Sequence, residues 1–182
     1  MRLTGATLAL LFLLGGCAMF MPATEDYGKR TMGTVLDDQM TESRAGNILR
    51  AASPELKKSH FAVTSFNGIV LLTGQVPSEA AKQLAGEKVA AMRKVRLVHN
   101  ELQIAGPTSL VARTNDSWLT AKVKTDMLAS DKVSGNRIKV VTEDGVVYLM
   151  GLLTHHEAKE AVEVARQVYG VQKIVTAFEY ID

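Results

Sequence analysis

Two stretches of the chain share one alternation of apolar and polar positions around a tight turn. Residues 63–74 have the sequence VTSFNGIVLLTG, residues 140–151 have VVTEDGVVYLMG, and the two match at five of twelve positions. Alternation of this kind predicts β-strands, and Asn-Gly at 67–68 or Asp-Gly at 144–145 favours a type I′ turn. The pattern therefore predicts the same β-hairpin twice in one chain.

Each hairpin has one apolar face and is followed by a helix and a closing strand. Ser78 is predicted to cap the first of these helices, and Thr154 with Glu157 forms a capping box in the second. A helix between a hairpin and a further strand implies a right-handed crossover and parallel pairing. The apolar faces are Phe61, Val63, Val70 and Leu72, then Ile138, Val140, Val147 and Leu149; the buried stripe of the second helix is Ala158, Ala161, Val162, Ala165 and Tyr169.

A helical stretch also precedes each hairpin. In the second copy Leu119, Val123 and Met127 recur every four residues, and Asp116 or Ser117 is suited to cap the helix. In the first copy the pattern over 41–52 is weaker. The element order is thus α-β-β-α-β in each copy. It predicts an α+β fold of two tandem domains, each a two-layer sandwich of a three-stranded mixed sheet and two helices.

The segments outside the two copies lack a sustained period. Residues 17–37 are predicted to be a flexible tether, and residues 106–114, which begin with Gly-Pro, to be a linker. The two domains are then expected at 38–105 and 115–182.

The N-terminal residues are typical of a targeting segment. Residues 1–16 contain a short apolar run from Leu8 to Leu14, too short to span a bilayer, and indicate a secretory signal. Cys17, the single cysteine, follows Leu-Gly-Gly and resembles the bacterial lipoprotein box. That resemblance implies lipidation of Cys17 by diacylglycerol and an acyl chain such as palmitate, and an Ala rather than Asp at position 18 suggests the outer membrane, facing the periplasm. The alternative is an ordinary signal with a chance cysteine.

The residue composition argues against several kinds of function. With Cys17 lipidated no thiol remains for a disulfide, a nucleophile or a metal site. The chain is close to neutral, at +2, which argues against a nucleic-acid partner. No motif of hydrolases, phosphate-binding loops or metalloproteases occurs, so we expect neither enzymatic activity nor a cofactor. His155-His156 could be considered for a metal, but neighbours on a helix point about 100° apart, and an exposed helix start explains them.

The only tryptophan is the strongest candidate for a binding residue. On a helical wheel Trp118 lies away from the stripe of Leu119, Val123 and Met127, with Lys122 on its own side and Lys124 beyond Leu128 on the flank. An outward Trp beside Lys suits a membrane interface, where the indole lies at headgroup depth. The alternative is that Trp118 packs against the other domain or covers the linker.

The second faces of the hairpins are also apolar. They carry Ile69 and Leu71 in the first copy, and Val141, Val146, Tyr148 and Met150 in the second. Contiguous apolar patches usually mark an interface. Two alternatives fit: the two domains pack together, or a protein partner in the outer membrane covers the patch.

Three further stretches, with the closing strand at 98–104, resemble the BON domain. They are Arg30–Thr34 with Asp37-Asp38, residues 115–119 and residues 145–151. The resemblance covers almost the whole chain after Cys17, and in particular points to the dual-BON outer-membrane lipoproteins of proteobacteria.

This resemblance implies a non-enzymatic protein that binds anionic phospholipid, such as phosphatidylglycerol or cardiolipin, and supports envelope integrity, with its second domain touching the membrane. The expected lipid-binding residues are Trp118, Leu119, Lys122, Lys124 and Leu128. The alternative is an assembly adaptor that docks an outer-membrane protein or a cell-wall machine through the open sheet faces.

Overall fold

A computed structural model of the protein describes residues 28–182. The predictions for the signal segment 1–16, for Cys17 and for tether residues 18–27 lie outside the described residues.

The described chain forms two domains with the expected order of elements. The first contains α1 (Met32–Ala52), α2 (Pro54–Lys58), β1 (His60–Phe66), β2 (Ile69–Val76), α3 (Glu79–Ala90), β3 (Leu97–Asn100) and β4 (Gln103–Ile104). The second contains α4 (Leu110–Ala129), a 3₁₀ turn (Gly135–Arg137), β5 (Ile138–Glu143), β6 (Val146–Leu153), α5 (His155–Arg166) and β7 (Lys173–Tyr180). The α+β class with two tandem domains is confirmed.

Both sheets have the predicted mixed topology. The hairpin strands β1 and β2 are antiparallel, as are β5 and β6. The strand after the crossover helix is parallel to the second hairpin strand: β7 pairs with β6 throughout, whereas β3 and β4 pair with successive parts of β2. The first sheet therefore has a closing strand broken into two pieces.

The two hairpin turns are of type I′, as predicted. Asn67 and Gly68 have φ values of 53° and 75°, and Asp144 and Gly145 have φ values of 50° and 73°. Positive φ at both central positions matches the right-handed twist of the flanking strands. Each turn thus fixes the register that sends alternate side chains to opposite faces of its sheet.

Each domain has its own hydrophobic core between its sheet and its helices. The predicted apolar faces of both hairpins lie in these cores, as does the stripe of Leu119, Val123 and Met127. Tyr169 was wrongly placed in the stripe of α5, because that helix ends at Arg166 and Tyr169 is 93% exposed. The preceding residue in the chain, Val168, is buried in the core of the second domain instead.

Two helices begin earlier than the sequence pattern indicated. Helix α1 starts at Met32, capped by Thr31, so residues 32–37 are not part of a flexible tether. Helix α4 starts at Leu110, capped by Ser109, so residues 110–114 are not linker and neither Asp116 nor Ser117 is the cap. The first turns of both helices expose their apolar side chains, and for that reason they show no core-facing period.

The second faces of the two sheets pack against each other. Phe66, Ile69 and Leu71 of the first domain form one buried cluster with Tyr148 and Met150 of the second. Packing between domains, one of the two alternatives, is what the structure shows. These faces are therefore not open for an adaptor to dock a partner, and that expectation was wrong for this arrangement.

A rim of polar contacts surrounds this interface. Arg96 pairs with Glu179 at 2.6 Å, and Lys139 pairs with Glu42 at 2.6 Å. Inside the rim, Gln75 Nε2 donates to Glu143 Oε1 at 2.8 Å. Opposite charges thus face each other across the domain boundary.

Candidate functional site

Helix α4 carries the candidate site and is held by the core of the second domain. Leu119, Val123 and Met127 are fully buried on its inner side. Leu119 therefore cannot contact a lipid, and its inclusion among the lipid-binding residues was wrong. The reason is helical geometry: Leu119 lies about 100° round from its neighbour Trp118 and so falls on the core side.

The outer side of the same helix is apolar and exposed. Trp118 is 54% exposed and Leu128 is 58% exposed, so both lie at the surface as their wheel positions indicated. Leu110 and Val111 in the first turn are 75% and 80% exposed. We refer to these four residues, together with Thr114 and Thr125, as the α4 outer face.

Sequence reasoning missed Leu110 and Val111, which it assigned to the linker. A signal was present: Ser109 precedes an apolar pair, and its side chain accepts a hydrogen bond from Ala112 N at 3.1 Å. A serine before a helical run is a common N-cap. The added first turn extends the outer face beyond Trp118 toward the start of the helix.

The hydroxyl groups on this face are satisfied inside the helix. Thr114 Oγ1 donates to Leu110 O at 3.0 Å, and Thr125 Oγ1 donates to Ala121 O at 2.9 Å. Each threonine thus bonds to the carbonyl one turn earlier. Both hydroxyl groups therefore keep their hydrogen bonds when the α4 outer face is buried against an apolar layer.

The two lysines of α4 differ from their expected role. Lys122 Nζ pairs with Asp126 at 2.5 Å, so its charge is largely compensated. Lys124 Nζ donates to Gly135 O at 2.7 Å and to Ile138 O at 2.5 Å, and burial lowers its pKa. Lys124 therefore fixes the 3₁₀ turn to α4 rather than reaching a surface, and its place in the lipid site was wrong.

An aspartate locks α4 to the hairpin of its domain. Asp116 accepts from Asp144 N at 2.8 Å and from Gly145 N at 2.9 Å. Two otherwise unpaired N–H groups of the type I′ turn are thereby satisfied by one carboxylate. This contact sets the rotation of α4, and hence which of its residues face outward.

The first domain repeats this device. Asp38 accepts from Asn67 N at 2.8 Å and from Gly68 N at 3.0 Å. It also accepts from Arg30 Nη1 at 2.6 Å, and the Arg30 guanidinium lies 3.8 Å from the centre of the Phe66 ring. The sequence motif that precedes the first domain thus has a structural role.

One of the paired histidines at the start of α5 has close partners in the chain. The capping box of Thr154 and Glu157 is present, so both histidines stand at the start of α5. His155 Nδ1 lies 2.7 Å from Asp182 Oδ1, and the ring stacks on Tyr180. Within residues 28–182 no three His, Cys, Asp or Glu side chains come together as metal ligands would.

No helix in the described range 28–182 has the length and apolar character needed to cross a bilayer.

Comparison with known proteins agrees with the two-domain architecture. The BON domain family matches twice, over residues 37–106 and 115–182. The chain is 33% identical to the outer membrane lipoprotein DolP of Haemophilus influenzae, covering 99% of this chain and 94% of that protein. It is 33% identical to the 21 kDa hemolysin of Actinobacillus pleuropneumoniae, covering 87% and 81% of the two chains.

The chain is also similar to a more distant relative. The chain is 26% identical to the osmotically-inducible protein Y of Escherichia coli, covering 82% of this chain and 75% of that one. Two matches to one family model and two relatives at 33% identity over most of their length support the same family assignment. The chain belongs to the BON-domain family, as an envelope-associated protein with two BON domains that resembles DolP.

Proposed function

We propose that this protein is anchored in the outer membrane through lipidated Cys17, faces the periplasm, and binds anionic phospholipid through its second BON domain. Its role is non-enzymatic and supports the integrity of the cell envelope. The single observation that carries the proposal is the α4 outer face, an exposed apolar surface centred on Trp118 on a helix whose other side is locked into a core.

The face has the composition of a membrane-contact surface. An indole is favoured at the depth of the lipid headgroups, and Leu110, Val111 and Leu128 add apolar area on the same side. A lysine near an anionic surface contributes about 1 kcal/mol. Since Lys122 is paired with Asp126, its contribution is smaller, and apolar contact supplies most of the affinity.

Weak contact is sufficient when the domain is already tethered. Several acyl chains on one cysteine make anchoring stable. Ten residues separate Cys17 from Gly28, where the described chain begins, and extended chain spans at most ~3.5 Å per residue. The first domain therefore starts within roughly 40 Å of the anchor, and this confinement raises the effective concentration of α4 at the bilayer.

Flotation with lipid vesicles tests the lipid-binding proposal. The chain without its signal segment, residues 17–182 carrying Cys17→Ser to remove lipidation, is mixed with vesicles of phosphatidylcholine alone or with added phosphatidylglycerol. We expect it to float with the anionic vesicles and to be retained less by the neutral ones. Equal retention on both would contradict anionic recognition, and no retention on either would overturn lipid contact altogether.

Fractionation of cells tests the anchor separately. Cys17→Ser should leave both domains folded, because Cys17 lies before them, and should release the protein from the outer membrane. Protein that stays firmly in the outer-membrane fraction after this change would show that the anchor lies elsewhere in the chain.

A further inference from the structure

Strand β7 leaves one edge of the second sheet open. The strand order is β5-β6-β7, and all eight residues of β7 pair with β6 on one side. Within residues 28–182 no other strand pairs with the outer edge of β7. An open edge presents a row of backbone N–H and C=O groups to any strand that can reach it.

Edges in the first domain are protected in ways that β7 is not. On β1, Ser65 N donates to Glu42 Oε1 at 2.8 Å, and Ser65 O accepts from Lys139 Nζ at 3.4 Å. The closing strand of that domain is interrupted between β3 and β4. Interruptions and side chains that cover the edge are common means of preventing pairing. Strand β7, with the sequence KIVTAFEY, contains neither proline nor glycine and is not interrupted.

The sequence of β7 is self-complementary about Thr176. In an antiparallel pair of two such strands centred there, Lys173 lies opposite the partner's Glu179, and Ile174 lies opposite the partner's Phe178. Val175 then faces the partner's Ala177. Directly opposite residues in an antiparallel pair share a face of the sheet, and pairs of opposite charge or of apolar residues stabilise it.

A groove beside the edge has room for the added strand's side chains. It lies between α5 and β7, has a volume of about 320 Å³, and is lined by Val162, Arg166, Thr176 and Phe178 among others. A second hollow of about 240 Å³ continues along the same two elements past Ile174. The Ile174 and Phe178 side chains of a second copy would lie on this face of the extended sheet.

We propose that two copies of this chain associate through antiparallel pairing of their β7 strands about a twofold axis at Thr176. The three-stranded sheets then join into one continuous sheet with no open β7 edge. Closed twofold association through one self-complementary patch is the commonest form of protein oligomer. The opposite charges at the two ends of β7 favour a second copy in the antiparallel orientation, because each charged end then lies opposite its counterpart.

Glu179 can accept this additional partner. It already accepts hydrogen bonds from Arg96 Nη2 at 2.6 Å, Arg96 Nη1 at 2.9 Å and Asn67 Nδ2 at 2.7 Å. A carboxylate offers about four lone-pair sites. The partner's Lys173 would add a fourth donor at the boundary between the domains, and Lys173 is exposed in the single chain.

Cysteine crosslinking tests the axis directly. Cys17 is the single cysteine, so the full chain with Cys17→Ser and Thr176→Cys carries one thiol at the proposed axis. We expect it to form a disulfide-linked dimer under mild oxidation. The matched control is Asn47→Cys on the exposed side of α1, for which we expect little dimer. Crosslinking at position 176 no faster than at position 47 would overturn the proposal.

Sedimentation of the lipid-free protein tests the charge match. Lys173→Glu places like charges opposite each other and should weaken the dimer at least about tenfold, whereas Lys88→Glu on α3 should not. Glu179 also pairs with Arg96, so the rescue variant combines Lys173→Glu and Glu179→Lys with Arg96→Glu, which keeps that pair with its charges reversed. This triple variant should restore association. A chain that is monomeric throughout, or a triple variant that stays folded and associates no better than Lys173→Glu, would contradict the pairing. Because no lipid is present, neither outcome bears on the lipid proposal.

Discussion

At the scale of single residues, Asp38 and Asp116 are the clearest case of one structural solution used twice. Each carboxylate accepts from two successive N–H groups of a type I′ turn. The sequence showed both aspartates within motifs but indicated a helix cap for Asp116, because Asp is a frequent cap. A contact to a turn about thirty residues away has no local signature, and so sequence alone could not reveal it.

Asp38→Ala should destabilise the first domain by about 2–3 kcal/mol, since it leaves two donors of the turn without a partner. Burial alone would raise the pKa of Asp38, but hydrogen bonds from Gly68, Ser65, Asn67 and Arg30 outweigh it and hold the pKa below its ordinary value. The folded state thus favours the charged form. Its contribution is complete above the unfolded value and is lost as the pH falls through the lower, folded value.

Urea unfolding at pH 7 and at pH 3 measures this effect. We expect the difference between wild type and Asp38→Ala to be smaller at pH 3. The control is Asp37→Ala, which removes an exposed pair with Lys94 and should cost no more than about 1 kcal/mol. Equal costs at positions 37 and 38 would refute the role of Asp38.

Gly145→Val should destabilise the second domain by roughly 1–3 kcal/mol, because a β-branched residue is strained at positive φ. Gly145 has a φ of 73°, and a Cβ there would lie 2.5 Å from the Gln172 side chain. Gly106→Val is the matched control, since a Cβ at Gly106 meets nothing within 4 Å. Thermal unfolding decides: equal melting temperatures for both variants would rule out the strain.

At the scale of elements, the hairpins were predictable and the helix starts were not. Alternation and a turn dipeptide are local, so the hairpins around 67–68 and 144–145 were assigned correctly, although β2 and β6 continue two residues beyond 74 and 151. The first turns of α1 and α4 expose Met32, Leu36, Leu110 and Val111. A search for a buried stripe does not detect such turns, and for α4 it concealed part of the candidate site.

The pairing of Lys122 with Asp126 sets the expectation for charge changes on α4. Lys122→Glu should weaken binding to phosphatidylglycerol vesicles modestly, and the loss should fade as salt rises, because exposed charges are screened. Lys132→Glu, in the loop after α4, makes the same change of charge away from the outer face. Titration with phosphatidylglycerol vesicles at two salt concentrations compares the binding of the two variants. A loss that is the same for both lysines, or unaffected by salt, would contradict a local role.

At the scale of the whole molecule, the sequence identified the second apolar faces of the sheets but not what covers them. An apolar strand face has the same pattern whether it meets another domain or a separate protein. The rim pairs, such as Arg96 with Glu179, join residues far apart in the chain and leave no periodic signal. Only the fold showed that each domain covers the other.

This packing makes the stability of the two domains interdependent. Met150→Ala empties a fully buried position between the sheets and should cost about 2–5 kcal/mol. Hydrogen exchange should then speed up in β2 as well as in β6. Met40→Ala, at a half-exposed position on α1, should change neither the free energy of unfolding nor the rate of hydrogen exchange in these strands. Faster exchange confined to the second domain would show that the domains are independent.

In the proposed function, Trp118 contacts the membrane and does not belong to the core of its domain. Trp118→Glu should abolish binding of the Cys17→Ser chain to phosphatidylglycerol vesicles and leave its melting curve unchanged, because an exposed side chain leaves no cavity when replaced. Val123→Glu, one turn on and buried, should instead unfold the domain. Vesicle titration with parallel thermal unfolding of Trp118→Glu measures both properties. A variant that melts several degrees lower and still binds vesicles would show that Trp118 is a packing residue.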